Sequence, residues 1–310
     1  MLPRCIFQGG DFMPTVIINM VQSVLEQGLI YAILALGLYV SYSVLNFPDL
    51  SVDGTFPLGS VVTAVLITNG VNPWLTLPIS FLCGAAAGMI TGIIHVKFKV
   101  TNLLSGILMM TALYSINLTI SGGSSTLFII SPSMVKIFTG PLSQLFPRNV
   151  SKLLIIAICV IVIKILFDLF MKTKCGMMLM VCGANEQMVK SLSVDSGKIK
   201  MVGLAIANGL VALSGSLMCQ YKNSFNIGDG TGSMVIGLAS VIIGMTVLFK
   251  VKFIKNTTKV IFGSIIYYAC IRIALSMGLD AHFLKLIIAV LFLLMLIFNN
   301  KILKGVKEDA

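Results

Sequence analysis

The feature that most constrains this chain is a succession of apolar runs, at roughly 15–45, 57–70, 74–95, 102–121, 152–171, 199–220, 232–249, 257–276 and 281–299, separated by short loops that carry most of the lysines. A helix that crosses a bilayer needs about 20 mostly apolar residues, because the hydrocarbon core is about 30 Å thick and each residue rises about 1.5 Å. The runs predict an all-α polytopic membrane protein of about nine transmembrane helices, in a single domain over 1–310. Composition agrees: with 57 % hydrophobic and 11 % charged residues, a soluble globule of 310 residues would lack the charge to cover itself. The net charge is +11, but the basic residues lie between apolar runs rather than as a patch on a polar fold. That pattern fits a lipid bilayer and argues against nucleic acid.

Positively charged loops stay cytoplasmic, so the lysines also predict orientation. Lys97 and Lys99 mark one inner loop and Lys172, Lys174, Lys190, Lys198 and Lys200 a second. Lys250, Lys252, Lys255 and Lys259 mark a third, and Lys301, Lys304 and Lys307 lie in a cytoplasmic tail over 303–310 and its approach. These are 14 of the 22 positive charges, and one alternating assignment puts them all inside, with the N-terminus outside and the C-terminus in the cytoplasm. Met1 to Phe12 has neither an apolar core nor a small-residue cleavage site and reads as a disordered lead-in to a 13–302 core, with Met13 an alternative start. The seven cysteines read as apolar fillers or free thiols.

Asn46-Phe47-Pro48-Asp49-Leu50-Ser51-Val52-Asp53-Gly54-Thr55-Phe56-Pro57 precedes an apolar run of only Leu58 to Thr68. Those last 11 residues reach about 17 Å, so part of the polar stretch sits at membrane depth. Two prolines and a glycine predict a helix broken near 46–57, and non-helical backbone at that depth survives only when buried in protein or lining a cavity. A broken helix carrying Asp49 and Asp53 is a candidate transport pathway; the bland alternative is an ordinary cytoplasmic turn. Glu26 is a further intramembrane acid, with Gln27 beside it and no cation in its span, although the long first run leaves room for it nearer the outer interface. Lys164 and Asp168, at i and i+4, neutralise each other in a structural pair. Gly84, Gly88 and Gly92 form a small-xxx-small stripe for helix packing. A second glycine-rich break, Asn226 to Gly232, hints weakly at an internal repeat.

The longest inner loop, 172–200, contains Gly183-Ala184-Asn185-Glu186 followed by Met188, Val189 and Leu192. Asn185 is a candidate N-cap, Glu186 suits a first turn, and Met188, Val189 and Leu192 share one face of a short helix. That stripe calls for either a partner groove or the lipid headgroups. No phosphate-binding loop, H-E-x-x-H, paired Cys-x-x-Cys or G-x-S-x-G string occurs, so an enzyme is disfavoured and any ATPase belongs to another chain.

Leu25-Glu26-Gln27-Gly28-Leu29-Ile30-Tyr31-Ala32, Ala35-Leu36-Gly37 and Leu45-Asn46-Phe47-Pro48-Asp49-Leu50-Ser51-Val52-Asp53-Gly54 together resemble the permease subunits of ABC importers in the branched-chain amino acid and ribose permease superfamily. Within it the Asn46–Gly54 string looks most like a branch that imports tryptophan or tyrosine; sugar members have Asp-Leu-Ser-Val-Gly, without Asp53. Gly176 and Gly183-Ala184-Asn185-Glu186 resemble the cytoplasmic coupling segment of that superfamily. The resemblance implies a type II-like permease fold in a bacterial inner membrane. It implies a second permease subunit, most simply in a homodimer, two cytoplasmic ATP-binding subunits that carry the nucleotide, and an extracellular solute-binding lipoprotein. No cofactor is expected on this chain. The pathway residues would be Glu26, Asn46, Asp49, Ser51 and Asp53, and the ATPase-coupling residues Gly183, Ala184, Asn185, Glu186, Met188, Val189 and Leu192. Asp49 and Asp53 would either hold the broken backbone in shape or meet a substrate ammonium. An aromatic amino acid is the favoured substrate; branched-chain amino acids, nucleosides and sugars remain alternatives. So does an ion-coupled secondary transporter with Glu26, Asp49 and Asp53 as cation or proton sites.

Overall fold

The structure, a computed structural model, describes residues 12–130, 148–191, 194–249, 251, 253–276 and scattered positions between 286 and 297. Helix α1 (Phe12–Leu38) runs into a π-helical segment, Tyr39–Val44, before the chain breaks. Then follow α2 (Val52–Thr68), α3 (Pro73–Phe98), α4 (Asn102–Ile120), a short strand β1 (Thr126–Phe128) and α5 (Arg148–Met171). A hairpin of α6 (Lys174–Ala184) and α7 (Glu186–Ser191) leads to α8 (Ser196–Lys222), strand β2 (Ser224–Asn226), a 3₁₀ turn (Ile227–Gly230), α9 (Ser233–Val247) and α10 (Asn256–Ser276). Among the described residues seven helices are long and apolar enough to cross a membrane, and α2 is a shorter apolar helix of 17 residues. Eight of the expected runs therefore coincide with helices, while the expected run over 281–299 lies largely outside the described residues. The lead-in up to residue 11 and the tail over 303–310 lie outside them as well.

Helix α8 is the centre of the bundle. Over its most apolar 18-residue window it is 83 % buried, against 28 % for α4 and α5, which turn most of their surface outward. The reason lies in its composition: Gly203, Ala205, Ala207, Gly209, Ala212, Ser214, Gly215 and Ser216 let neighbouring backbones come close, and close approach drives helix association where lipid removes the hydrophobic difference. The expected glycine stripe of α3 is the other half of that contact. A Cβ on Gly84 would run into Ala212, one on Gly88 into Leu204 O, and one on Gly92 into Met201. Hydroxyls then meet across the contact, with Thr63 of α2 bonded to Ser216 of α8 at 2.6 Å and to Ser80 of α3 at 2.9 Å, all buried.

The two ends of the bundle differ. At one end β1 and β2 pair antiparallel, Thr126 opposite Asn226, and tie α4 to α8, with Lys222 bound to Asp229 at 2.8 Å. At the other, the end of α3, the start of α8 and the α6–α7 hairpin meet, and Lys97, Lys99, Lys172, Lys174, Lys198, Lys200 and Lys255 collect there. Asp168 does pair with Lys164, at 3.8 Å, but one group just before α10 and one in its first turn hold it more closely. Lys255 lies at 3.2 Å and the Thr257 hydroxyl donates at 2.8 Å. The carboxylate thus ties α5 to α10 rather than only balancing its own helix.

Candidate functional site

The break between α1 and α2 is shorter than the sequence suggested. Helix resumes at Val52, so Gly54 and Pro57 lie inside α2, and only residues 45–51 are non-helical. The π segment accounts for the entry: its wider turn ends with Leu45 N on Val40 O (2.9 Å) and Phe47 N on Ser41 O (2.8 Å). Asn46 then turns the chain with φ of 53°, a left-handed conformation that asparagine tolerates, and its side chain is exposed. Phe47 is buried with its ring edge-on to His95, 5.1 Å between centroids, and Pro48 beyond it disfavours helix at Phe47.

Asp49 closes the break. Its Oδ1 accepts the Ser51 amide at 2.8 Å, which caps α2, and its Oδ2 accepts Asn208 Nδ2 at 2.7 Å. Asn208 Oδ1 in turn accepts the hydroxyls of Ser51 (3.2 Å) and Thr55 (2.8 Å). All four side chains belong to residues with no solvent exposure, and Asn208 sits at the middle of the 27-residue α8. Gly106 of α4 leaves room for the break: a Cβ there would approach Leu50 N to 2.7 Å. Asn208 escaped the sequence reading, although a single amide inside Ala205-Ile206-Ala207-Asn208-Gly209-Leu210 is a signal, since a polar group at that depth needs a partner.

Asp53, one turn on, faces a different element. Its Oδ1 accepts Ser233 Oγ (3.0 Å) and Met234 N (2.8 Å), and its Oδ2 accepts Gly232 N (3.0 Å). The carboxylate is therefore the N-terminal cap of α9, supplied from 179 to 181 residues away. Pro57 has no amide to give the Asp53 carbonyl, and Gly230 packs against that carbonyl and the proline ring. The two glycine-rich breaks thus meet each other. Asp53→Ala removes three acceptor contacts, and a lost cap costs about 0.5–2 kcal/mol. Hydrogen exchange should read this as amides of Gly232 and Met234 opening about tenfold faster, with those of α3 unchanged.

Glu26 stands apart from this pair. It is 5 % exposed and accepts Gln22 Nε2 (2.8 Å) and the Tyr221 hydroxyl (3.0 Å). Tyr221 lies 13 residues beyond Asn208 on α8, about 20 Å along the axis, so Glu26 and Asp49 do not form one acidic cluster. Arg272 reaches the same corner through Ser23 Oγ at 2.7 Å.

In the hairpin, Asn185 is the expected N-cap, its Oδ1 accepting the amides of Gln187 (3.0 Å) and Met188 (3.4 Å). Glu186 pairs with Lys200 at 2.7 Å and accepts Ser196 Oγ at 3.0 Å, which clamps α7 to the start of α8. Met188 and Val189 do not share one exposed stripe: Val189 is fully buried, whereas Met188 is 56 % exposed. The outward surface is made instead by Met177, Met180 and Met188. Leu192 lies outside the described residues. Ala184 ends α6, and Gly183 packs on the carbonyl of Val44 so closely that no Cβ fits. The hairpin therefore rests directly on the last turn of the π segment, one residue before the break.

A many-spanning helical bundle, with a buried polar break between two of its helices and a hairpin seated on the π segment that leads into that break, defines a membrane permease subunit rather than a soluble or single-pass protein. The chain belongs to the family described as "Branched-chain amino acid transport system / permease component", which matches residues 20–298. It is 45 % identical over 288 residues to the "Tyrosine transport system permease protein" of Clostridioides difficile (strain R20291), covering 93 % of this chain and 94 % of that one. An uncharacterized protein of Rickettsia prowazekii is 31 % identical over 282 residues, covering 90 % and 97 %. The "Ribose import permease protein RbsC" of Escherichia coli (strain K12) is 24 % identical over 288 residues, covering 92 % and 86 %. No solved structure matches the chain. The resemblance to ABC importer permeases thus holds over nearly the whole chain.

Proposed function

We propose that this chain is the translocating subunit of an importer for an aromatic amino acid, working with a second permease subunit, two cytoplasmic ATP-binding subunits and an extracellular binding lipoprotein. The likeness to the tyrosine transport permease supports the substrate class, and the seating of Gly183 on Val44 is the observation that carries the mechanism. The lysine-rich end with the α6–α7 hairpin faces the cytoplasm, where the methionine surface docks an ATP-binding subunit. Closure of the ATPases pushes the hairpin, the hairpin moves the π segment, and the segment shifts the 45–51 break that Asp49 and Asn208 hold at mid-depth. Asp49 and Asp53 act first as scaffold acceptors for the breaks, and solute passes beside them between the two permease subunits.

The purified complex in proteoliposomes tests this. Labelled tyrosine should accumulate only with ATP on the ATPase side and the binding protein on the other, and accumulation driven by a proton or sodium gradient without ATP would overturn it. Met188→Asp puts a charge on the exposed docking surface without touching the buried core. The ATP-binding subunit should then be lost on purification, with about tenfold less recovered per permease.

A further inference from the structure

Beside the Asp49 network, a cleft of about 230 Å³ opens between α2, α4 and the turn at 227–231. Asp53, Pro57, Met110, Thr111, Tyr114 and Asn117 are among its lining residues. Its volume is below the roughly 300–1,000 Å³ usual for sites that take drug-sized ligands, which suits a single amino acid. Two observations say what it takes. Asn117 is wholly buried and gives its Nδ2 to Gly54 O at 3.0 Å, but its Oδ1 has no hydrogen-bond partner among the described residues. A carboxylate accepts about four hydrogen bonds. Asp53 uses three, all from neutral donors, and among the described residues it has no ion pair. The polar side of the cleft is thus short of donors, and its carboxylate is balanced by the N-terminus of α9 but by no cation among the described residues, which a cation rich in N–H groups would match. Met110, Pro57 and the half-exposed Tyr114 ring supply the apolar side.

We infer that this cleft is a subsite in the translocation pathway that takes the α-ammonium group of an amino acid at Asp53 and Asn117 and its side chain against Met110 and Tyr114. The inference rests on the transport reading above and deepens it, since it assigns substrate discrimination to the permease as well as to the binding protein. A neutral sugar brings no cation to this carboxylate. The ring of Tyr114 favours flat side chains over branched ones by stacking.

The test uses the whole complex in proteoliposomes, with labelled tyrosine and labelled leucine and uptake normalised to assembled complex. Thr111, on the exposed wall of α4, is changed to both signs of charge. Thr111→Lys should lower tyrosine uptake about tenfold relative to Thr111→Glu, because only the first repels an ammonium, whereas a steric effect strikes both alike. Tyr114→Ala should lower the tyrosine-to-leucine uptake ratio about fivefold. Asn117→Leu should lower uptake of both. Because Asn117 also supports α2 through Gly54, the Thr111 pair and Tyr114→Ala decide the matter where that variant fails to assemble. Tyrosine import by the wild type, with the two Thr111 variants within about twofold of each other and an unchanged tyrosine-to-leucine ratio, overturns the subsite alone. A wild-type complex that imports neither amino acid overturns the transport reading, and the subsite with it.

Discussion

Asn208→Leu is expected to abolish uptake and to lower the unfolding temperature of the purified subunit, with a stability loss of about 3 kcal/mol. The size follows from what one amide satisfies. Its Nδ2 is the closest donor to the buried Asp49 carboxylate, and its Oδ1 takes two hydroxyls from the first residues of α2. Leucine fills the volume but leaves a fully buried carboxyl group with only the Ser51 amide and hydroxyl, and leaves Thr55 without that acceptor. The cost of several buried polar groups left short of partners, not the loss of a single hydrogen bond, sets the scale. Ser51→Ala is the contrasting variant. It removes a hydroxyl shared between Asn208 and Asp49 but keeps the Ser51 amide and Asn208 on Asp49 and Thr55 on Asn208, so a smaller loss of about 1 kcal/mol is expected. If both variants unfolded at the same temperature, the network would not be what holds the break.

Gly183→Val should cut ATP-driven uptake about a hundredfold while the ATP-binding subunit still purifies with the permease. The added side chain meets the carbonyl of Val44 and the Cα of Leu45, which are backbone atoms and cannot rotate away. Relief requires the hairpin to lift from the π segment, and lifting breaks the mechanical contact between docking surface and break. Met188 stays exposed on the outward side throughout, which is why docking survives. This outcome is opposite to that of Met188→Asp, in which docking itself is lost. A Gly183→Val complex that transports normally would remove the hairpin from the mechanism.

The membrane spans, the basic face and the existence of a break near Asp49 were legible in the residues, because each follows from local quantities: run length against bilayer thickness, lysine position, and the cluster of proline, glycine and acid. The extent of the break was not. Gly54 and Pro57 lie inside α2 because Asp49 caps the helix at Ser51 and because Gly230, from the far side of the chain, packs where the proline leaves the Asp53 carbonyl without a helical partner. Val189 shows the same limit in the hairpin. Helical spacing put it near Met188, but in the fold, where Glu186 holds α7 to Lys200 of α8, Val189 is turned inward and Met188 outward. The sequence separated Asp49 and Asp53 by four positions and treated them alike; in the fold one reaches α8 and the other α9.

What the sequence alone determined is that this chain crosses a membrane many times, with a polar break near Asp49 and a lysine-rich face at one end. Apolar length and charge position are properties of short stretches, and the bilayer acts on each stretch separately. Only the tertiary structure decided which groups satisfy the buried acids, Asn208 for Asp49, the start of α9 for Asp53 and Tyr221 for Glu26, and where the hairpin presses on the break. The physical reason is that a polar group removed from water must find its partner in space, and here those partners lie 159 to 195 residues away along the chain.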